Sequence, residues 1–140
     1  MPWAWLLLLA LAPVGLGARL EMPQAVRLAQ AYLGQALEPH KVELKRKEGT
    51  LVWEVRLGDW EVWVEAQRGQ VSYLRAKKAP PHAARPHLPF LQAWQRAEEA
   101  LGPLEKLELK PHPQGAYWEA RGPRGKAYLL PDGRLVDRKP

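Results

Sequence analysis

Residues 41–45 read "KVELK" and residues 106–110 read "KLELK", the same alternation of charged and apolar side chains written twice, 65 residues apart. Alternation with a period of two marks a strand that has one buried and one wet face. The recurrence continues outward from both copies. Downstream, "WEVR" (53–56) returns as "WEAR" (118–121), again 65 residues on. Upstream, Ala25, Val26, Ala29, Leu33 and Gly34 match Ala93, Trp94, Ala97, Leu101 and Gly102 at a spacing of 68. Farther downstream, "RGQV" (68–71) matches "DGRL" (132–135) at a spacing of 64. Four blocks in one order, drifting by a few residues as loops shorten, indicate a duplication.

Both copies spell the same elements. In "MPQAVRLAQAYLGQAL" (22–37) a proline in the first turn precedes Ala25, Val26, Ala29, Leu33 and Ala36 at helical spacing, which predicts an amphipathic helix. Phe90, Ala93, Trp94, Ala97 and Leu101 form the equivalent stripe, stopped by Gly102-Pro103. Strands follow the first helix. Val42 and Leu44 alternate with charges, "EGT" turns the chain, and Leu51, Trp53, Val55 and Leu57 alternate with Val52, Glu54 and Arg56. After the Gly58-Asp59 turn, Trp60, Val62, Val64 and Ala66 alternate with Glu61, Trp63 and Glu65, and Val71 and Tyr73 open a fourth strand. The fold class expected is α+β: two duplicated modules, 18–76 and 88–140, each one helix packed on an antiparallel meander of three to four strands. Residues 77–87, Pro-rich and without periodicity, read as a semi-rigid, partly extended linker. Modules this small hold only marginal cores on their own. Trp53, Trp60, Trp94 and Trp118 are assigned to those cores.

The first 17 residues, "MPWAWLLLLALAPVGLG", carry no charged side chain. Their apolar run is shorter than the roughly 20 residues a membrane-spanning helix needs. It reads as a secretory signal peptide, with Gly15 and Gly17 at the small-residue positions of the cleavage site and Ala18 as the mature start. A retained N-terminal anchor is the alternative, and only then would the protein touch a membrane. The expected location is outside the cytoplasm: periplasm, cell envelope or medium. With no cysteine the chain has no disulfide to brace it. It also lacks Asn and Ile and is rich in Pro, Arg, Leu and Glu, a bias that suits a thermophile.

The net charge of +6 is spread thinly. Residues 18–76 hold nine basic and eight acidic side chains, 77–87 three and none, and 88–140 nine and seven. No face or helix is predicted to concentrate the excess, which argues against specific nucleic-acid binding. The cluster "KRK" (45–47), flanked by Glu43 and Glu48, reads as a solvated strand edge.

Helix, then strands reading "LVWEVRLGDWEVWVEAQRGQVSYL" (51–74), resembles the PepSY domain. Trp53-Glu54-Val55-Arg56 stands at the family's "yeV.v" strand, and Glu65 through Val71 at its acidic strand end and "tG.v" turn, with Glu65 replacing the common Asp and Arg68 the common Thr. The second copy resembles the family only through the first and has Leu129 in place of the acidic residue. The resemblance implies a bacterial envelope or secreted protein that regulates or inhibits a peptidase, a metallopeptidase being the partner to expect, and carries over no catalytic residue.

The side-chain inventory agrees with a non-enzyme. Ser72, inside a predicted strand, and Thr50, in a hairpin turn, are the only hydroxyl nucleophiles besides tyrosine. Glu54, Glu61 and Glu65 share a strand face, but with Arg56 among them they read as an outward charge ladder. Each histidine (His40, His82, His87, His112) follows a proline in a segment read as loop or linker, so all four are expected solvated and no metal or cofactor is expected. The candidate partner-binding face is Trp63 with Val52, Glu54, Arg56, Glu61 and Glu65, continued in the second copy by Tyr117, Glu119, Arg121 and Ala127. Trp63 is either a hot spot for a protein partner or a side chain packed on the linker or the other module. An exported binding protein is thus the leading expectation. A structural or assembly role in the envelope is the second, and a binder of anionic polymer the third.

Overall fold

A computed structural model describes residues 18–140, so the expected signal peptide lies outside the described residues. Helix α1 (Met22–Leu33) leads into four strands, β1 (Pro39–Lys47), β2 (Thr50–Leu57), β3 (Trp60–Glu65) and β4 (Val71–Ala76). A short 3-10 turn (Pro81–Ala84) follows, then helix α2 (Phe90–Leu101) and four more strands. These are β5 (Lys106–His112), β6 (Gly115–Gly122), β7 (Gly125–Leu129) and β8 (Leu135–Val136). All eight strands form one antiparallel sheet in the order β4-β3-β2-β1-β5-β6-β7-β8.

The α+β class is therefore as the patterning predicts, but the two meanders join edge to edge. The seam is short: Lys41 pairs with Glu108, Val42 with Leu107 and Glu43 with Lys106. Its register follows from the repeated phrase. Centred on Val42 and Leu107, an antiparallel pairing sets each flanking lysine against a glutamate. Centred on Glu43 and Glu108, two residues out of register, the apolar side chains would still pair but two glutamates would stand opposed, whereas a slip of one residue would set Val42 against a charged side chain.

Both helices help cover one face of the sheet. Ala25, Val26 and Ala29 of α1 and Phe90, Ala93, Ala97 and Leu101 of α2 belong to one continuous core with Val42, Trp53, Val55, Val62, Leu107, Trp118, Ala120 and Leu129. Each helix is tied to the sheet in the same way. The Trp53 indole N–H donates to the Leu20 carbonyl at 2.9 Å, and Trp118 donates to that of Leu88 at 2.6 Å, two residues before the respective helix. The tie satisfies a buried donor and sets the angle at which the chain enters the helix.

Several local expectations are corrected. Helix α1 stops at Leu33 because Gly34 adopts a left-handed φ of 68°, which leaves Ala36 outside the helix and exposed. Trp60 and Trp94 are only half-buried; Trp94 lies against the core, whereas Trp60 opens β3 outside it. Ala127 faces the helices and is 4% exposed, because the register places Tyr128, not Ala127, beside Glu119 on the other face. The linker is not wholly extended: its 3-10 turn rests on β5, where the His82 ring nitrogen meets the Leu109 carbonyl at 2.9 Å. His40 is buried within β1 and not solvated, since its ring packs at the Gly58 turn with Nε2 3.3 Å from the Gly58 carbonyl.

Candidate functional site on the open face of the sheet

The face turned away from the helices carries the candidate residues, and strand register brings six of them together. Val52 lies opposite Glu65, Glu54 opposite Trp63, and Arg56 opposite Glu61. Tyr117 and Arg121 lie on β6, three strands from β2, or about 14 Å at ordinary strand spacing. The eight therefore form two groups separated by β1 and β5. Val52 and Glu54 (each 2% exposed), Glu61 (1%) and Tyr117 (4%) are buried, which leaves Trp63, Arg56, Glu65 and Arg121 as candidates with surface to offer.

Burial on a face without helices has a specific cause. Glu54 is roofed by long cationic side chains, with the Lys45, Lys47, Arg56 and Lys41 nitrogens 3.4, 3.7, 3.7 and 3.9 Å away. Lys and Arg stems cover apolar surface while their charged ends converge on the carboxylate. Glu61 is held by Arg56 at 3.1 Å, Arg75 at 3.2 Å and the Trp63 indole N–H at 2.8 Å. Burial alone would raise its pKa, but these hydrogen bonds and the two guanidinium charges outweigh it and hold the carboxyl below the ordinary value. The second half carries a similar cluster. Glu119 faces Glu108 across β5 and β6, Lys106 bridges them at 3.0 and 3.2 Å, and Glu119 too titrates below the ordinary range despite its burial. Arg121 reaches over the seam to Glu43 at 3.4 Å. Lys45 and Lys47, read from sequence as a solvated edge, do extend past the seam, yet both turn onto Glu54.

Trp63 is half-buried. Its ring stacks on Tyr73 of β4, centroids 4.3 Å apart, and Lys47 Nζ sits 4.7 Å from its centroid. The expectation that it packs on the linker or the other half is thus replaced by a local stack within its own half. Beside it opens a concavity of about 630 Å³ lined by Arg46, Lys47, Thr50, Val52, Trp63, Glu65, Ser72 and Tyr73, among others. Glu65 Oε1 is buried there with no hydrogen-bond partner among the described residues. A donor from a bound partner would relieve that cost. Sequence reasoning missed Tyr73 and Lys47. Lys47 could have been found by extending the alternation of Lys41, Glu43 and Lys45; Tyr73 could not, because a register shift beside Trp63 and Val64 breaks the β3–β4 alternation.

A second concavity, of about 460 Å³, separates the start of α1 from the end of α2, with Met22, Trp53, Trp94 and Leu104 among its lining residues. Among the described residues no group of three or more His, Asp or Glu is placed to hold a metal ion, and no helix is long and apolar enough to cross a membrane. Ser72 and Thr50 are exposed.

No protein-family model matches the chain, and no curated protein matches it. Among solved structures, the crystal structure of a candidate lipoprotein from Clostridium difficile 630 is similar at a TM-score of 0.44 and 10% sequence identity, over 80% of this chain and 87% of that one.

Proposed function

We propose that this chain is an exported, non-enzymatic binding protein, built as two copies of a PepSY-like module, that restrains an extracytoplasmic peptidase by contact through its sheet. The observation that carries the reading is the Trp63–Tyr73 stack beside a concavity on a sheet face that no helix covers. A partly exposed aromatic pair with a charged rim is the kind of surface on which binding energy concentrates. Duplication is supported by the paired Trp53 and Trp118 ties and by a seam in which Val42 meets Leu107, the residue at its own place in the repeated phrase. The PepSY-like assignment is supported by the same order of helix and strands in each half, with Trp53-Glu54-Val55-Arg56 on β2 and a turn within residues 66–70 between β3 and β4.

The test is a titration of residues 18–140 into a thermolysin-like peptidase of the same organism, following peptide hydrolysis and the integrity of the added protein together. Saturable inhibition without cleavage is expected. Undiminished hydrolysis with the protein in large excess over the enzyme would remove peptidase control from the proposal.

A further inference from the structure

The two ends of the sheet are built differently. At one end β8 is two residues long and offers little edge to pair with. At the other, β4 runs six residues, Val71–Ala76, pairs only with β3, contains no proline, is regular from Tyr73 to Ala76 beyond one irregularity at Ser72, and leaves Tyr73 39% and Leu74 38% exposed. Soluble proteins usually shorten, bend or obstruct such an edge, because its outward N–H and C=O groups can template another strand. The edge is also electrically one-sided. Residues 66–78 contain Arg68, Arg75, Lys77 and Lys78 and no acidic residue. Arg75 is engaged by Glu61, but Arg68, Lys77 and Lys78 enter no ion pair among the described residues.

We propose that the outer edge of β4 is a strand-addition site for an extended acidic peptide segment of a partner protein. The occupant follows from three features. Backbone groups of the edge supply hydrogen bonds independent of partner sequence. Leu74, on the helix side of the strand, accepts an apolar side chain, whereas on the open side Tyr73 lines the Trp63 concavity and Arg75 lies opposite Glu61, a face that suits acidic ones. A bound strand therefore alternates apolar and acidic residues. A second copy is a poor occupant: antiparallel pairing of two β4 edges about Tyr73 would set Lys78 near Arg68 of the other copy, like charge against like. The inference rests on the reading of the chain as a binding protein and names the segment it takes.

The experiment uses residues 18–140 with an acetylated peptide of alternating Glu and Val as probe, and alternating Lys and Val peptide and polyphosphate as controls. Amide hydrogen exchange is followed with each. The acidic peptide should slow exchange in Val71–Ala76 by about tenfold or more at saturation, an effect that weakens with salt. The double variant Lys77→Glu, Lys78→Glu should keep the melting temperature and lose most of that protection. No protection of β4 at millimolar peptide, equal protection by polyphosphate, or an unaffected double variant would each overturn the proposal. Inhibition of a peptidase without β4 protection would sink this site and leave peptidase control standing; β4 protection by the peptide with no peptidase inhibited would do the reverse.

Discussion

Glu54 shows how one residue's role depends on its neighbours. In sequence it is one more charge on an outward strand face; in the fold it is a buried anion beneath four cations. Removing one member of a buried charge cluster leaves the others uncompensated. Glu54→Ala should therefore cost about 2 kcal/mol, less than a fully enclosed pair because water still reaches the lysines. Urea unfolding measures this, and a change near zero would show that the lysines relax into solvent. Two kinds of group, a histidine and three carboxyls, contribute to the pH response. His40 is pushed below its ordinary 6.5, chiefly by burial. The folded state therefore resists its protonation, and the stability present above pH 6.5 is lost as pH falls below it. His40→Gln should flatten that part of the melting-temperature profile. The carboxyls of Glu43, Glu61 and Glu119, all held below the ordinary 4.5, add stability above that value and lose it only at lower pH. A profile that stayed flat from pH 7 to 5 in the unaltered protein would contradict the placing of His40.

Among the elements, the hairpin of β5 and β6 is the one the linker leans on. Gly115 has a φ of 141°, and a Cβ added there would lie 2.1 Å from the Pro86 carbonyl oxygen, the group that accepts the Ala116 N–H at 3.0 Å. Gly115→Ala combines a backbone conformation that L side chains avoid with a collision against backbone that cannot turn aside. A cost of about 3 kcal/mol is expected, read as a lowered urea midpoint together with faster amide exchange at Ala116. Neither the collision nor the linker contact could be read from "PQG" (113–115), which signals only a turn. The helices were more legible. Apolar residues at helical spacing mark both, and glycine ends both, at Gly34 and Gly102.

Across the whole molecule, one sheet and one core join the two halves across a seam of only three residue pairs, and the halves are expected to unfold together. Val42 and Leu107 are fully buried at its centre. Unfolding followed by far-ultraviolet circular dichroism and by tryptophan fluorescence should coincide. Leu107→Ala, which opens a cavity at the seam, should lower both midpoints together and cost about 3 kcal/mol. A biphasic curve, with the half containing Trp53 outlasting the half containing Trp118, would show that the seam does not couple them.

What the sequence by itself determined is whatever depends on local period: the helices and strands, the face on which Trp63 stands with Val52, Glu54, Arg56, Glu61 and Glu65, and the recurrence of these elements along the chain. Side-chain alternation is a property of the backbone, so neighbours two residues apart settle it without the rest of the fold. Only the tertiary structure decided which of these residues keep any surface, that Trp63 stacks on Tyr73 under Lys47, and that the repeated phrases pair with each other. Those outcomes depend on strand order and on one register shift between β3 and β4. Such choices are made by burying the apolar face of the whole sheet against both helices at once, and no short stretch of the chain contains that constraint.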